Sequence, residues 1–326
     1  MIDDLAKAQA SLLQALGAAG GEMILSRAEA PSRFGEHWQE ALTDLESAAL
    51  VALDSGGVLR AGPRGSVLDG AAIERLCGDC GFGKPVEILA STPSTNDFVL
   101  DRAQAGAGPG LVVAAELQTA GRGRRGRAFD SRPGLGVWST TLLPPPGDPV
   151  AAPRHSLVTA LAVAAAVERL TGACPGIKWP NDVRLGGRKI SGILVEARSR
   201  AGRLIPVAGI GVNVHHQAGD FPPELRDLAG SVEAQTGTRV ERSELLAAIV
   251  IELAQLSSRE RAGRLELAER FATFDELFDR EISVEHPGGR WRGIARGIEE
   301  DGSLLLAVPG QGTRVVRAGE ATLHGA

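Results

Sequence analysis

The stretch GRGRRGR, Gly121 to Arg127, places four arginines between three glycines in a chain of 326 residues whose formal net charge is −5. Guanidinium forks match carboxylate and phosphate geometry, and four like charges within seven residues repel one another until an anion gathers them. Three chemistries compete for the stretch: a dinucleotide fingerprint, since its first six residues read G-x-G-x-x-G, a nucleic-acid patch, and a loop that folds over a small anionic substrate. Context removes the first. That fingerprint needs its glycines between a strand and a helix N-terminus, where free N–H groups meet the pyrophosphate. LVVAAEL supplies the strand, but AFDSRPGLGVWST follows, in which Pro133, Gly134 and Gly136 stop a helix and lead into another strand. The stretch reads as a loop between strands, poorly ordered alone and closing as a clamp on an anion.

Other reactive residue types carry less. Gly78 to Lys84, GDCGFGK, opens like a phosphate loop, but Pro85 stands where a hydroxyl should hold Mg²⁺. Cys77 and Cys80 form one C-x-x-C without a second pair, and Cys174 is remote, so they read as ordinary thiols at the end of a short helix. His215 and His216 have no metal-ligand constellation and are expected to be solvated. Trp138 and Trp179 lie in apolar strands and are expected in the core. No activated Ser, Cys or His nucleophile is evident. A pI near 5.8 argues against general coating of nucleic acid. No apolar run approaches the roughly 20 residues of a membrane helix, and Asp3 and Asp4 do not fit a signal peptide, so a cytoplasmic protein is expected.

The elements that must position these residues divide the chain in three. Residues 1–62 combine helical spacing in LAKAQASLLQALGAAGG and EHWQEALTDLESAAL with a hairpin at LVALDSGGVLRAG, the outline of a winged helix. After Pro63, Gly65 and Gly70, residues 66–276 mix strands with an apolar helix, HSLVTALAVAAAVERL, and two further helices near 242–277. Residues 277–326 turn all-β, with short strands between Pro/Gly and Asp-Gly turns, as in a small barrel.

Five motifs in order, STPSTND (Ser91–Asp97), QTAGRGRRGR (Gln118–Arg127), KWPNDV (Lys178–Val183), RKISGILVE (Arg188–Glu196) and GIGVNV (Gly209–Val214), resemble the bacterial biotin protein ligases. The resemblance covers about residues 66–326 and extends to GIARGIEEDGSLLL, which is similar to that family's C-terminal SH3-like barrel. It implies an α/β (α+β) catalytic domain of the class II synthetase-like, biotin-ligase type, with a winged-helix-like N-terminal domain. The implied reaction joins biotin and ATP into biotinyl-5′-AMP, with Mg²⁺ carried by the ATP phosphates, and passes the acyl group to a lysine of biotin carboxyl carrier protein, the acetyl-CoA carboxylase subunit.

The resemblance also implies roles. Lys189 and Arg124 are the catalytic cations; Ser94, Thr95, Asn96, Gln118, Gly121, Arg122, Gly123 and Gly192, with Arg124 and Lys189, hold biotin. Arg122, Arg124, Arg125, Arg127, Asn181, Asp182, Lys189 and Asn213 serve the nucleotide. Two departures stand out: Phe129 replaces a tryptophan common after the loop, and no tryptophan lies in residues 217–235 to pack an adenine. Phe129 is read either as a cap on the substrate or as a loop anchor.

Bifunctional relatives use the winged helix to repress the biotin operon. Here a recognition helix expected to begin near Ser32 carries Glu36, Glu40, Asp44 and Glu46 against Arg33, and residues 1–62 hold nine acids against four bases. A degenerate domain that packs on or regulates the ligase is therefore expected, with DNA binding disfavoured and homodimer formation left open. A lipoate-type ligase and a catalytically decayed biotin sensor are the rival functions.

Overall fold

Leu12, Leu13 and Leu16 share the buried face of α1 (Asp4–Ala18), the first element of a computed structural model that describes residues 4–145, 152–200, 203–286 and 288–324. Next come β1 (Glu22–Ile24), α2 (Ala30–Phe34), α3 (Trp38–Ser47), β2 (Val51–Leu53) and β3 (Val58–Ala61), whose strands form a sheet in the order β1-β3-β2. The hairpin between β2 and β3 turns because Asp54 Oδ1 accepts from Gly56 and Val58 N–H, both at 2.9 Å, and Gly57 takes φ 81°. The helix expected from Ser32 is two helices instead: Gly35, at φ 88°, ends α2, and α3 starts at Trp38.

The middle of the chain comprises α4 (Gly70–Cys77), β4 (Val86–Thr92), α5 (Thr95–Gln104), β5 (Val112–Gln118), β6 (Gly136–Leu142), α6 (Ala152–Thr171), β7 (Gly176–Lys178), β8 (Asp182–Leu185), β9 (Arg188–Arg200), β10 (Arg203–Asn213), α7 (Val232–Thr236), α8 (Arg242–Arg261) and α9 (Leu267–Ala272). Its strands make one seven-stranded sheet, β4-β5-β6-β10-β9-β8-β7, antiparallel except for β4 with β5. Residues of α6 and α8 build the large apolar core with the strands, and α5 closes a smaller cluster through Val99, Leu100 and Ala103. Trp138 and Trp179 are in the core as expected, at 0% and 1% exposure.

A bulge in β9 sets up the site. Asp182 pairs with Gly192 and Val183 with Ser191, but Arg184 then pairs with Lys189, so β9 carries one extra residue there. Strand side chains alternate, and Lys189 and Gly192, three positions apart, would otherwise face opposite sides of the sheet. The bulge puts both on one face while Ile190 stays fully buried.

The last strands, β11 (Glu281–His286), β12 (Gly289–Ile298), β13 (Leu304–Val308), β14 (Gly312–Val316) and β15 (Glu320–Leu323), form an antiparallel sheet in the order β14-β13-β12-β11-β15. Its apolar face, with Ile282, Val284, Leu304 and Leu306, continues the large core, and Trp179 Nε1 donates to Gly302 O at 3.0 Å. At the other end, Leu135, which follows the arginine loop, is buried in the core of the N-terminal unit beside α1 and Leu50.

Candidate active site

The arginine loop joins β5 to β6 and is ordered by its own backbone, contrary to the expectation of a loop awaiting an anion. Arg122 and Ala128 form an antiparallel bridge, Phe129 N–H donates to Gly121 O at 3.0 Å, and Gly123 N–H to Arg127 O at 2.8 Å. Carboxylates take the place of a ligand. Arg122 meets Asp97 at 2.6 Å and Glu196 at 2.9 Å, Arg125 meets Glu320 at 3.0 Å and Glu285 at 3.4 Å, and Arg127 meets Glu320 at 2.7 Å. The Arg122 guanidinium in turn holds the Asp97 carboxyl below its ordinary pKa.

Among the described residues, Arg124 alone of the four has no carboxylate within 4.0 Å. It donates to Asn181 Oδ1 and to Gly319 O, both at 3.1 Å. Burial, and then the neighbouring Arg125, lower its pKa against the weaker opposing pull of Glu320 and Asp182. Arg122, Gly123, Arg124 and Arg127 line a cavity of about 490 Å³, whereas Arg125, expected on the nucleotide, points to the C-terminal sheet and is not among the lining residues. Gly121 lies beneath the loop, where a Cβ would fall 2.7 Å from Phe129 O.

Lys189 enters the same cavity, its Nζ 2.7 Å from Asp182 Oδ1. A Cβ on Gly192 would lie 3.0 Å from that Nζ, so the glycine leaves the floor open beside the cation. Lys178, which opens the KWPNDV motif and has no role implied by the resemblance, also lines the cavity.

A small polar pocket adjoins the cavity, lined by Ser94, Thr95, Asn96, Gln118 and Ser139. Its side chains already bond to each other: Thr95 N–H and Oγ1 donate to Gln118 Oε1 at 3.0 and 3.1 Å, Thr140 Oγ1 donates to Asn96 Oδ1 at 2.7 Å, and Asn96 Nδ2 to Glu196 Oε2 at 2.7 Å. Ser139 Oγ, which sequence reasoning missed, is buried with no hydrogen-bond partner among the described residues, an open valence for a polar ligand. Phe129 lines both spaces. Its ring rests on the glycine floor, where a Cβ on Gly211 would meet Cζ at 2.6 Å, and it meets Trp138 edge-on at 5.7 Å.

On the far side lie Asn181, Asp182 and Asn213. Asn213 is buried, and its Nδ2 donates to Gly230 O at 3.0 Å, so it fixes the turn over the cavity. The two histidines are not solvated; each is 3% exposed. His215 Nδ1 pairs with Glu233 at 2.6 Å, and His216 is stacked on Phe221 at 5.0 Å and meets Trp138 edge-on at 5.9 Å. Burial drives the His216 pKa down to about 3, leaving a neutral ring beside the cavity. Their sequence signal, two polar residues after an apolar strand, is the same for solvated residues, and their burial comes from Trp138 and Phe221 in other segments.

The arrangement is thus a cation-lined cavity joined to a polar pocket by a glycine floor. A model of the Biotin/lipoate A/B protein ligase family matches residues 88–213. The chain is 33% identical over 228 residues to the bifunctional ligase/repressor BirA of Bacillus subtilis, covering 68% of this chain and 67% of that protein. It is 34% identical to the biotin–[acetyl-CoA-carboxylase] ligase of Paracoccus denitrificans, over 73% of this chain and 100% of that one. Among solved structures, the biotin protein ligase from Aquifex aeolicus in complex with biotin and ATP aligns with a TM-score of 0.63 at 26% identity, over 74% of this chain and 99% of that chain. The chain belongs to the biotin/lipoate A/B protein ligase family, on its biotin protein ligase side.

Proposed function

We propose that the protein is an ATP-dependent biotin–[biotin carboxyl carrier protein] ligase that works through biotinyl-5′-AMP. The observation that carries the reading is Lys189, aimed by the bulge over Gly192 to the junction of pocket and cavity. In this reading the polar head of biotin occupies the Ser94–Thr95–Asn96–Gln118 pocket, its chain runs over Gly192 and Gly211, and its carboxylate reaches Lys189. A carboxylate oxygen attacks the α-phosphorus of ATP and pyrophosphate leaves; two anions are thereby brought together, which fixed cations on rigid elements make feasible. Lys189 and Arg124 supply that charge. The carrier lysine, as a free amine, then attacks the acyl carbon and AMP departs with the bonding electrons.

Phe129 must leave the glycine floor for biotin to lie there, and the closed loop then keeps water from the mixed anhydride. Mg²⁺ would come with the ATP phosphates and offset their charge, and Asp182, which lines the cavity, would be a hard oxygen donor to hold it. His216 and Phe221 form the flat surface that stands in for the absent tryptophan beside the nucleotide. The reaction requires a compartment supplied with ATP, for which the cytoplasm is our reading.

The N-terminal unit is read as a winged helix that has become a packing domain, and the C-terminal sheet as an SH3-like barrel whose Glu320 docks the arginine loop. DNA binding is disfavoured because α3 presents Glu40, Asp44 and Glu46 to solvent. The test of the ligase reading is exchange of labelled pyrophosphate into ATP. Biotin should stimulate it and lipoate should not; stimulation by lipoate alone would assign the lipoate branch, and none by either would mean a decayed site.

A further inference from the structure

The two histidines that follow β10 are buried in different ways. His215 Nδ1 is tied to Glu233 at 2.6 Å. His216 Nδ1 is buried with no hydrogen-bond partner among the described residues, on a ring that lines the cavity. The acid that acts on this ring, Asp220, is engaged elsewhere: its Oδ2 meets Arg64 at 2.7 Å and accepts from Gln217 N–H at 2.8 Å. The ring itself is fixed. Phe221 stacks on it at 5.0 Å, Trp138 meets it edge-on at 5.9 Å, and the His216 carbonyl accepts from Ser231 Oγ at 2.6 Å. Packing does not call for the nitrogen, since a phenylalanine would make the same ring contacts. A buried polar atom left open costs stability, which a ligand that completes it offsets.

We propose that His216 Nδ1 hydrogen-bonds a ribose hydroxyl of the nucleotide, so that this residue selects ribonucleoside over deoxyribonucleoside triphosphates. The inference rests on the ligase reading above, which sets the nucleotide beside His216 and Phe221. Position favours the sugar. Phe129, Trp138, His216 and Phe221 follow one another in ring contact, from the glycine floor to Phe221 in the cavity wall. With the α-phosphate joined to the acyl chain near Lys189 and the base against Phe221, the ribose is the part of the nucleotide that comes between, as His216 does. Chemistry favours a hydroxyl. Burial drives the ring's pKa down to about 3, so it is neutral, with one N–H and one lone pair. A hydroxyl both donates and accepts, and it satisfies Nδ1 in either tautomer, whereas the exocyclic amine of a base only donates and a phosphate oxygen only accepts. Because the ring is already held by Phe221, Trp138 and Ser231, little ordering is needed when the sugar arrives.

The experiment measures biotin-dependent exchange of labelled pyrophosphate into ATP, 2′-deoxy-ATP, 3′-deoxy-ATP and purine riboside triphosphate, which lacks the 6-amino group, with the full-length protein. The wild type should use one of the deoxy nucleotides about tenfold less efficiently than ATP, through a higher nucleotide KM. His216→Phe keeps the ring stack and removes the nitrogen; it should use ATP and that deoxy nucleotide alike, at the wild type's lower efficiency. His216→Gln, whose amide can still meet a hydroxyl, should keep part of the preference. A wild type that treats ATP and both deoxy nucleotides alike overturns the proposal, whether or not the variants fold. So does a preference that persists in His216→Phe, or a discrimination against purine riboside triphosphate that His216→Phe abolishes, which would put Nδ1 on the base edge. Absence of biotin-dependent exchange into ATP by the wild type is a different failure, and removes the ligase reading itself.

Discussion

Lys189 reaches the cavity only because β9 carries one residue more than its partner, and Asp182 holds it there at 2.7 Å. Replacing it removes a charge from the reacting centre and no apolar group from the core. Lys189→Ala should lower biotin-dependent pyrophosphate exchange by about 10²–10³-fold, the effect typical of losing one stabiliser of transition-state charge. Circular dichroism should be unchanged, and near wild-type exchange at saturating biotin would remove Lys189 from the mechanism. Arg124 makes a different prediction. It ties the loop across the cavity to Asn181 and Gly319, and among the described residues it is the arginine of the loop without a carboxylate within 4.0 Å. Arg124→Gly should let the intermediate escape, so that lysines of bystander proteins are biotinylated; unlabelled bystanders beside a modified carrier would contradict this.

Among the elements, the segment from α9 into β11 carries a carboxyl that titrates where it matters. Asp275 Oδ1 accepts from Leu277 N–H at 2.8 Å, but Oδ2 is buried without a hydrogen-bond partner among the described residues, and burial raises the pKa from 3.8 to about 6. Between those values the folded protein keeps a proton that the unfolded chain has lost, so stability falls as pH rises from about 4 to 6 and stays lower above. Asp275→Asn keeps an acceptor oxygen and removes the charge. It should stabilise the protein by about 1–3 kcal/mol at pH 8 and by little at pH 4, read from urea unfolding at the two pH values. An equal effect at both would show that ionisation is not the cause. Strands around GRGRRGR, the helix at residues 70–77 and the C-terminal strands were readable because their patterns are local. The order of the loop was not: its partners Asp97, Glu196, Glu285 and Glu320 are scattered over the chain, and no spacing relates them to the arginines. The Lys189 bulge was likewise hidden, since an extra residue in a strand shows only against its partner strand.

In the whole molecule, the catalytic sheet stands between two smaller units, and both touch the arginine loop's surroundings. Glu320 of the C-terminal sheet pairs with Arg125 and Arg127, while Leu135, just beyond the loop, is buried in the N-terminal core and its carbonyl accepts from Val214 and His215 N–H. Arg64, in the linker, pairs with Asp220 at 2.7 Å, next to Phe221 of the cavity wall. An N-terminal unit fastened in this way, with acids on the exposed face of α3, should not shift biotin-operon DNA in a gel at low salt with biotin and ATP present. A sequence-specific, salt-dependent complex that needs residues 1–62 would make the protein bifunctional. The central claim is that this cavity activates biotin and hands it to a carrier lysine. Its most direct test is the intact mass of a biotin carboxyl carrier domain after incubation with the protein, biotin, MgATP and an equal concentration of lipoate. The account predicts a shift of one biotinyl group that disappears when biotin or ATP is omitted; an unmodified carrier, or one bearing lipoyl instead, would contradict it.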